Sequence, residues 1–120
     1  MSIRTLAVVL SLIAGLPGAA LAQGDARGQA VAQVEFGIAV AQKGLWQEAV
    51  YRWQRATEID PTYAAAFNNL AVAYEQLGRF EEAGQAYARA LELEPDNLSI
   101  QQNYDLFKEL NDRARRSQTR

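Results

Sequence analysis

The sequence contains no cysteine and no histidine, and both absences restrict its chemistry. Without these side chains, Ser-His-Asp and Cys-His nucleophile systems cannot form, and zinc sites built from imidazole or thiolate are excluded. Only carboxylates, hydroxyls, Lys and Arg remain for catalysis, and nothing indicates a companion nucleophile for carboxylates such as Glu81 and Glu82. These two stand at a predicted helix start, where negative charge is favoured. We therefore predict a protein that is not an enzyme and has no catalytic residues, no metal site and no cofactor. Because disulfides are also excluded, its stability must come from packing.

A strong net charge is missing as well. The formal net charge is −2, which gives no electrostatic attraction to nucleic acid, so no nucleic-acid partner is predicted. Arginines are nevertheless concentrated at the C-terminus, at Arg113, Arg115, Arg116 and Arg120. They suit contact with anionic headgroups or an acidic partner, or a solvated helix end whose cations complement the helix dipole. We favour the solvated helix end.

The N-terminus has the three parts of a secretory signal peptide. Arg4 precedes an uncharged apolar run, a Pro17-Gly18 break follows, and the small residues Ala20 and Ala22 stand two apart. We expect cleavage after Ala22, which leaves a periplasmic or secreted protein without stable membrane insertion. The alternative is an uncleaved membrane anchor, because the uncharged stretch is near the lower length limit for a membrane-spanning helix.

The most informative feature is an internal repeat with a period of 34 residues. Residues 29–62 align with residues 63–96 without a gap, and the matched pairs include Gly44/Gly78, Glu48/Glu82, Ala49/Ala83, Trp53/Tyr87 and Pro61/Pro95. Glycine closes a helix in the left-handed conformation, and proline stops one because it lacks the amide hydrogen. Each repeat is therefore predicted to form two helices, the first ending at the glycine and the second before the proline.

A further amphipathic helix is predicted after the second repeat. Its apolar stripe consists of Ile100, Tyr104, Phe107 and Leu110. Such a helix caps a repeat array by covering the last apolar face. The predicted fold is thus all-α, with two helix hairpins and a C-terminal capping helix. The predicted segments are a signal peptide (1–22), a linker (23–28), two repeats (29–62 and 63–96), the capping helix (97–112) and a basic tail (113–120).

Both repeats resemble the tetratricopeptide repeat (TPR). The second carries Phe67, Asn68, Asn69, Leu70, Ala71, Val72, Ala73, Tyr74, Gly78, Phe80, Ala83, Tyr87, Ala90 and Pro95 at the motif positions, and the first carries Phe36, Gly37, Gly44, Trp46, Ala49, Trp53, Ala56 and Pro61. The first repeat departs from the motif at Gln33 and Val40, where the family usually has larger rings. The resemblance covers residues 29–96. It implies a right-handed superhelical array that holds a protein or peptide partner in a concave groove.

The resemblance also implies which residues line that groove, because in the family the first helix of each pair does so. They would be Val31, Val34, Glu35, Ile38 and Gln42, then Asn68, Asn69, Val72, Glu75 and Gln76, then Gln102, Asn103 and Leu106. This mixture of aliphatic and amide side chains suits an extended or helical peptide. Alternatively, Val34, Ile38, Val72 and Leu106 only complete the packing within the repeats.

One subclass of the family grips C-terminal carboxylates with Lys, Asn, Asn, Lys and Arg at set groove positions. Here those positions hold Val34, Ile38, Asn69, Ser99 and Asn103, so only Asn69 agrees. Without the cations, the charge-assisted hydrogen bonds to a carboxylate cannot form. The sequence therefore predicts that this protein does not use the carboxylate clamp.

The sequence thus resembles that of a small exported bacterial TPR protein, and it is compatible with two functions. The first is a non-catalytic adaptor or scaffold that binds a peptide segment of a partner in the groove. The alternative is a structural component that self-associates, as a possible homo-oligomer, or docks on an envelope complex by stacking its repeat faces.

Overall fold

The computed structural model describes residues 17–120, with side chains from residue 24 onward. Over this part of the chain the fold is all-α, as predicted, with five helices. Their bounds are α1 (Pro17–Gln42), α2 (Trp46–Ile59), α3 (Ala64–Gln76), α4 (Phe80–Leu93) and α5 (Leu98–Gln118). Helices α1 and α2 form one hairpin and α3 and α4 a second, while α3 also packs on α2 and α5 packs on α4. None of these five helices combines the length and apolar character that crossing a membrane requires.

The helix ends follow the glycine and proline signals. Gly44 and Gly78 have φ angles of 77° and 73°, the left-handed conformation predicted for the end of the first helix in each repeat. The second helices end at Ile59 and Leu93, two residues before Pro61 and Pro95. The predicted helix-turn-helix plan of both repeats is confirmed.

The core alternates alanines with large rings. In α2 and α4, the alanines Ala49, Ala56, Ala83 and Ala90 have no exposed surface. Trp53 and Tyr87, at equivalent positions of the two repeats, are 4% and 1% exposed. Alanine lets paired helices approach closely, and the rings fill the space that remains.

The capping helix covers the open side of α4 through aromatic contacts. The ring of Tyr87 lies 5.7 Å from that of Tyr104 and 5.6 Å from that of Phe107, measured between centroids. Ile100 and Phe107 are buried as predicted, but Leu110 is half exposed. It is exposed because α5 continues beyond the part that packs on α4.

Two predicted segment boundaries differ from the structure. Residues 23–28, predicted as a linker, are helical and belong to α1, where Asp25 accepts a hydrogen bond from Gln29 one turn later. Residues 113–118 of the predicted basic tail continue α5, and Arg113 pairs with Glu109 one turn earlier. Residues 1–16 of the predicted signal peptide lie outside the described residues.

Candidate partner-binding groove

A small apolar cavity opens between α1 and α3, and we call it the Trp53 cavity. Its volume is about 260 Å³, and it is lined by Ile38, Ala41, Gln42, Trp46, Trp53, Asn69 and Val72. Trp53 of α2 is almost fully buried, and its indole Nε1 donates a hydrogen bond to the backbone oxygen of Val34 over 3.1 Å. The indole is therefore held in one orientation, and the cavity is formed before any ligand arrives.

Val34 does not line the groove, which corrects the set of groove residues predicted from the sequence. It is 5% exposed and belongs to the main core cluster. The reason is that Trp53 packs against this turn of α1 and bonds to its carbonyl. For Val34, the alternative of packing within the repeat is correct.

The other aliphatic groove residues form a row across three helices. Ile38, Val72 and Leu106 follow one another at the repeat period on α1, α3 and α5. Ile38 is 42% exposed and Leu106 is 56% exposed, while Val72 is half-buried. A partner that covers this row removes apolar surface from water, which stabilises a complex by roughly 25 cal/mol per Å² of that surface.

The predicted amides take different positions. Gln42 and Asn69 line the Trp53 cavity, whereas Asn103 of α5 donates a hydrogen bond from Nδ2 to Oδ1 of Asn68 over 3.2 Å. This bond links α3 to α5 and uses part of the hydrogen-bonding capacity that was assigned to a peptide. The remaining predicted residues lie at the surface of the three helices, with Val31 half-buried and Glu35, Gln76 and Gln102 exposed.

Glu75 places a carboxylate on the groove side of α3, one repeat after Ala41 of the Trp53 cavity. It stands where the first repeat has Ala41, and its Oε2 accepts a hydrogen bond from the hydroxyl of Tyr87 over 2.5 Å. Burial, followed by this bond to Glu75, raises the pKa of Tyr87 well above its usual range. The groove thus changes along its length from an apolar cavity to a position that carries a carboxylate.

A second, larger cavity was not identified from the sequence. Its volume is about 580 Å³, and it lies where α3 and α5 begin, lined by Arg27, Thr62, Tyr63, Ala64, Ala65, Asn68, Glu94, Asn97, Ser99 and Ile100. Arg27 pairs with Asp60, donates from Nη2 to the Thr62 hydroxyl over 3.2 Å, and lies 4.7 Å from the Tyr63 ring centroid. Its charge is therefore already compensated within the fold. Two of its lining residues were singled out from the sequence for another reason, Asn68 as a groove residue and Ser99 as a position of the carboxylate clamp.

Comparison with protein families identifies the repeat unit. A TPR repeat model matches residues 37–78, and a tetratricopeptide repeat model matches residues 64–97. Together the two matches span residues 37–97, about half of the chain. No curated protein matches the chain significantly in sequence.

Two solved structures are similar to this chain. One is the second TPR of Spaghetti (RPAP3) bound to HSP90 peptide SRMEEVD, with a TM-score of 0.71 and 19% sequence identity over 82% of this chain and 91% of that chain. Another is the first TPR of Spaghetti (RPAP3), bound to the same peptide, with a TM-score of 0.40 and 19% identity over 72% of this chain and 95% of that chain. The first of these likenesses confirms the arrangement of helix hairpins. From the repeat matches and this arrangement, the chain belongs to the tetratricopeptide repeat family.

Proposed function

We propose that this chain is a non-catalytic interaction module that binds a peptide segment of a partner protein in its concave groove. The observation that carries the proposal is the apolar row Ile38, Val72 and Leu106, whose first two residues line the preformed Trp53 cavity. That the second TPR of Spaghetti (RPAP3) is bound to a peptide also supports it. The acidic end of that peptide is not carried over, because the cations of the carboxylate clamp are missing here.

This proposal is tested by selecting, from a displayed library of random short peptides, those that bind the full chain. Both tryptophans of the chain line the Trp53 cavity, so tryptophan emission reports directly on its occupancy. Selected peptides are expected to shift this emission. Ile38→Glu should weaken their binding by about tenfold or more, because it places a charge beside the buried apolar surface.

The matched control is Tyr51→Glu on α2. Tyr51 is 53% exposed and is not among the residues that line the Trp53 cavity. This variant should keep the affinity of the full chain. Selected peptides that bind the Ile38→Glu variant as tightly as the unchanged chain would contradict the groove, and so would a selection that yields no peptide.

A second candidate function is self-association through the outer face of the first repeat. Phe36 is 48% exposed, whereas Leu70, its counterpart in the second repeat, is 6% exposed. Against stacking, Arg52 stands where the second repeat has the buried Ala86, and its guanidinium lies 4.0 Å from the Phe36 ring centroid. Sedimentation at low and high protein concentration separates the two functions. If the protein stacks, its sedimenting mass should rise with concentration, and Phe36→Ser should return it to the mass of the monomer.

We further propose that the protein is small, bacterial and exported to the periplasm or medium after cleavage behind Ala22. This part rests on the composition of residues 1–22. The protein recovered from a bacterial host should have the intact mass of a chain that begins at Gln23. A full-length mass in the membrane fraction would instead favour the uncleaved anchor.

A further inference from the structure

The charged residues of the groove all have the same sign. Among the described groove positions, only Glu35 and Glu75 are charged. Glu35 is exposed on α1, and no ion pair involving it is found among residues 24–120. Glu75 is half-buried on α3 and uses one carboxylate oxygen for the Tyr87 hydroxyl. Anionic partners are therefore repelled along the groove, and cationic ones are attracted.

The Trp53 cavity extends from α1 to Val72 on α3, and Glu75 follows Val72 by one helical turn on α3. Ala41 lines the cavity on α1, and Glu75 occupies the equivalent place on α3. Helices that pack side by side are about 8–10 Å apart, and an extended chain advances about 3.3 Å per residue. An extended peptide that crosses the groove thus covers the step from Ala41 to Glu75 in about three residues.

Resting on the proposed function, we propose that the groove selects a basic, apolar segment as its partner. A bulky apolar side chain enters the Trp53 cavity, and a Lys or Arg within about three residues of it meets Glu75. Glu35, which is exposed on α1, attracts further positive charge of the partner. The apolar contact supplies most of the affinity, and the carboxylates supply selectivity between partners. The favoured ligand therefore has the opposite charge to a peptide such as SRMEEVD.

The test uses three synthetic peptides that share one bulky apolar residue and differ only in the flanking residue, which is Lys, Gln or Glu. Binding to the full chain is followed by tryptophan emission at low and high salt. The Lys peptide should bind about fivefold more tightly than the Glu peptide at low salt, as expected for one exposed ion pair, with the Gln peptide between them. High salt should reduce this difference because it screens exposed charges.

Neutral variants of the two carboxylates identify the source of the preference. In Glu35→Gln/Glu75→Gln, the new amide oxygen at residue 75 can still accept the Tyr87 hydrogen bond, so the fold is preserved while the charge is lost. This variant should bind all three peptides alike. Glu81→Gln is the matched control, because Glu81 is an exposed carboxylate on α4 outside the groove, and it should keep the preference.

The outcomes separate this inference from the proposed function. If the Lys and Glu peptides bind equally and Ile38→Glu abolishes both, the groove is real and the charge preference is overturned. A preference for the Glu peptide would overturn it as well. If none of the three peptides, nor any selected peptide, shifts the tryptophan emission, the proposed groove function fails together with this inference.

Discussion

Gly37 shows how a single residue position adapts one repeat to its neighbour. It lies on α1 directly under the indole of Trp53, and a Cβ atom added there would lie only 2.2 Å from Trp53 Nε1. The second repeat has Ala71 at the equivalent position, opposite the smaller ring of Tyr87. A larger ring in the first repeat therefore requires a smaller residue beneath it.

Gly37→Ala is expected to destabilise the protein although alanine is the better helix former. Helix propensity favours alanine by about 1 kcal/mol, but the displaced indole loses its bond to Val34 and overpacking costs about 1–3 kcal/mol. We expect the free energy of unfolding, measured by urea denaturation, to fall by about 1 kcal/mol.

The double variant Gly37→Ala/Trp53→Tyr provides the check, since it recreates the Ala71 and Tyr87 pair of the second repeat. Its free energy of unfolding should exceed the value that adding the two single changes gives. Strict additivity of the two changes would show that the residues do not constrain each other.

At the scale of elements, the first helix is anchored by a residue that precedes the repeat. Arg27 of α1 pairs with Asp60 in the turn that joins the two repeats, and Asp60 also accepts hydrogen bonds from the amide and hydroxyl of Thr62. The hydroxyl of Thr62, followed by Arg27, holds the pKa of Asp60 below its usual range. This contact connects the start of α1 to the junction of the repeats.

Asp60→Asn should lower the free energy of unfolding at neutral pH, because it removes the charge that pairs with Arg27. The expected loss is only about 1 kcal/mol, since Arg27 is half exposed. The pKa of Asp60 is lower in the folded state than in the unfolded one. Its stabilising effect is therefore fully present above about pH 4 and is lost as the pH falls through the folded value. Thermal unfolding of both proteins from pH 7 downward should show a constant gap that closes only under strongly acidic conditions. A gap that stays open at the lowest pH would contradict an ionic role for Asp60.

The sequence predicted the helix order and the turns, because these depend on local signals. Gly44 and Pro61 act through their own backbone geometry, so their effect is visible without any tertiary contact. The ends of α1 and α5 were predicted less well. At the start of α1, Arg27 contacts Asp60 outside its own helix, and at the end of α5 the pair of Glu109 with Arg113 continues the helix past the predicted boundary. The sequence left two positions open for Val34, the groove and the packing within the repeat, because its burial follows from the orientation of the Trp53 indole on another helix.

At the scale of the whole molecule, two adjacent residues of α5 have different roles, one in capping the array and the other in extending the groove. Phe107 is 5% exposed and packs against Tyr87 of α4, and its ring carbon Cε1 lies within 3.4 Å of the place a Cβ on Gly84 would take. Leu106, the preceding residue, is 56% exposed and continues the apolar row of the groove. Successive helical positions point about 100° apart, so the helix can cap the array on one side and extend the groove on another.

These different roles predict that a substitution at Phe107 lowers stability, whereas one at Leu106 weakens peptide binding. Phe107→Ala should reduce the free energy of unfolding by about 3–5 kcal/mol, the usual cost of removing a buried ring, and urea denaturation measures it. Leu106→Ala should change that free energy by less than about 0.5 kcal/mol, because the side chain is largely exposed, and it should weaken binding of the selected peptides. If Leu106→Ala leaves peptide affinity unchanged, the groove ends at α3 and α5 serves only as a cap. If Phe107→Ala leaves the stability unchanged, α5 is not the element that closes the array.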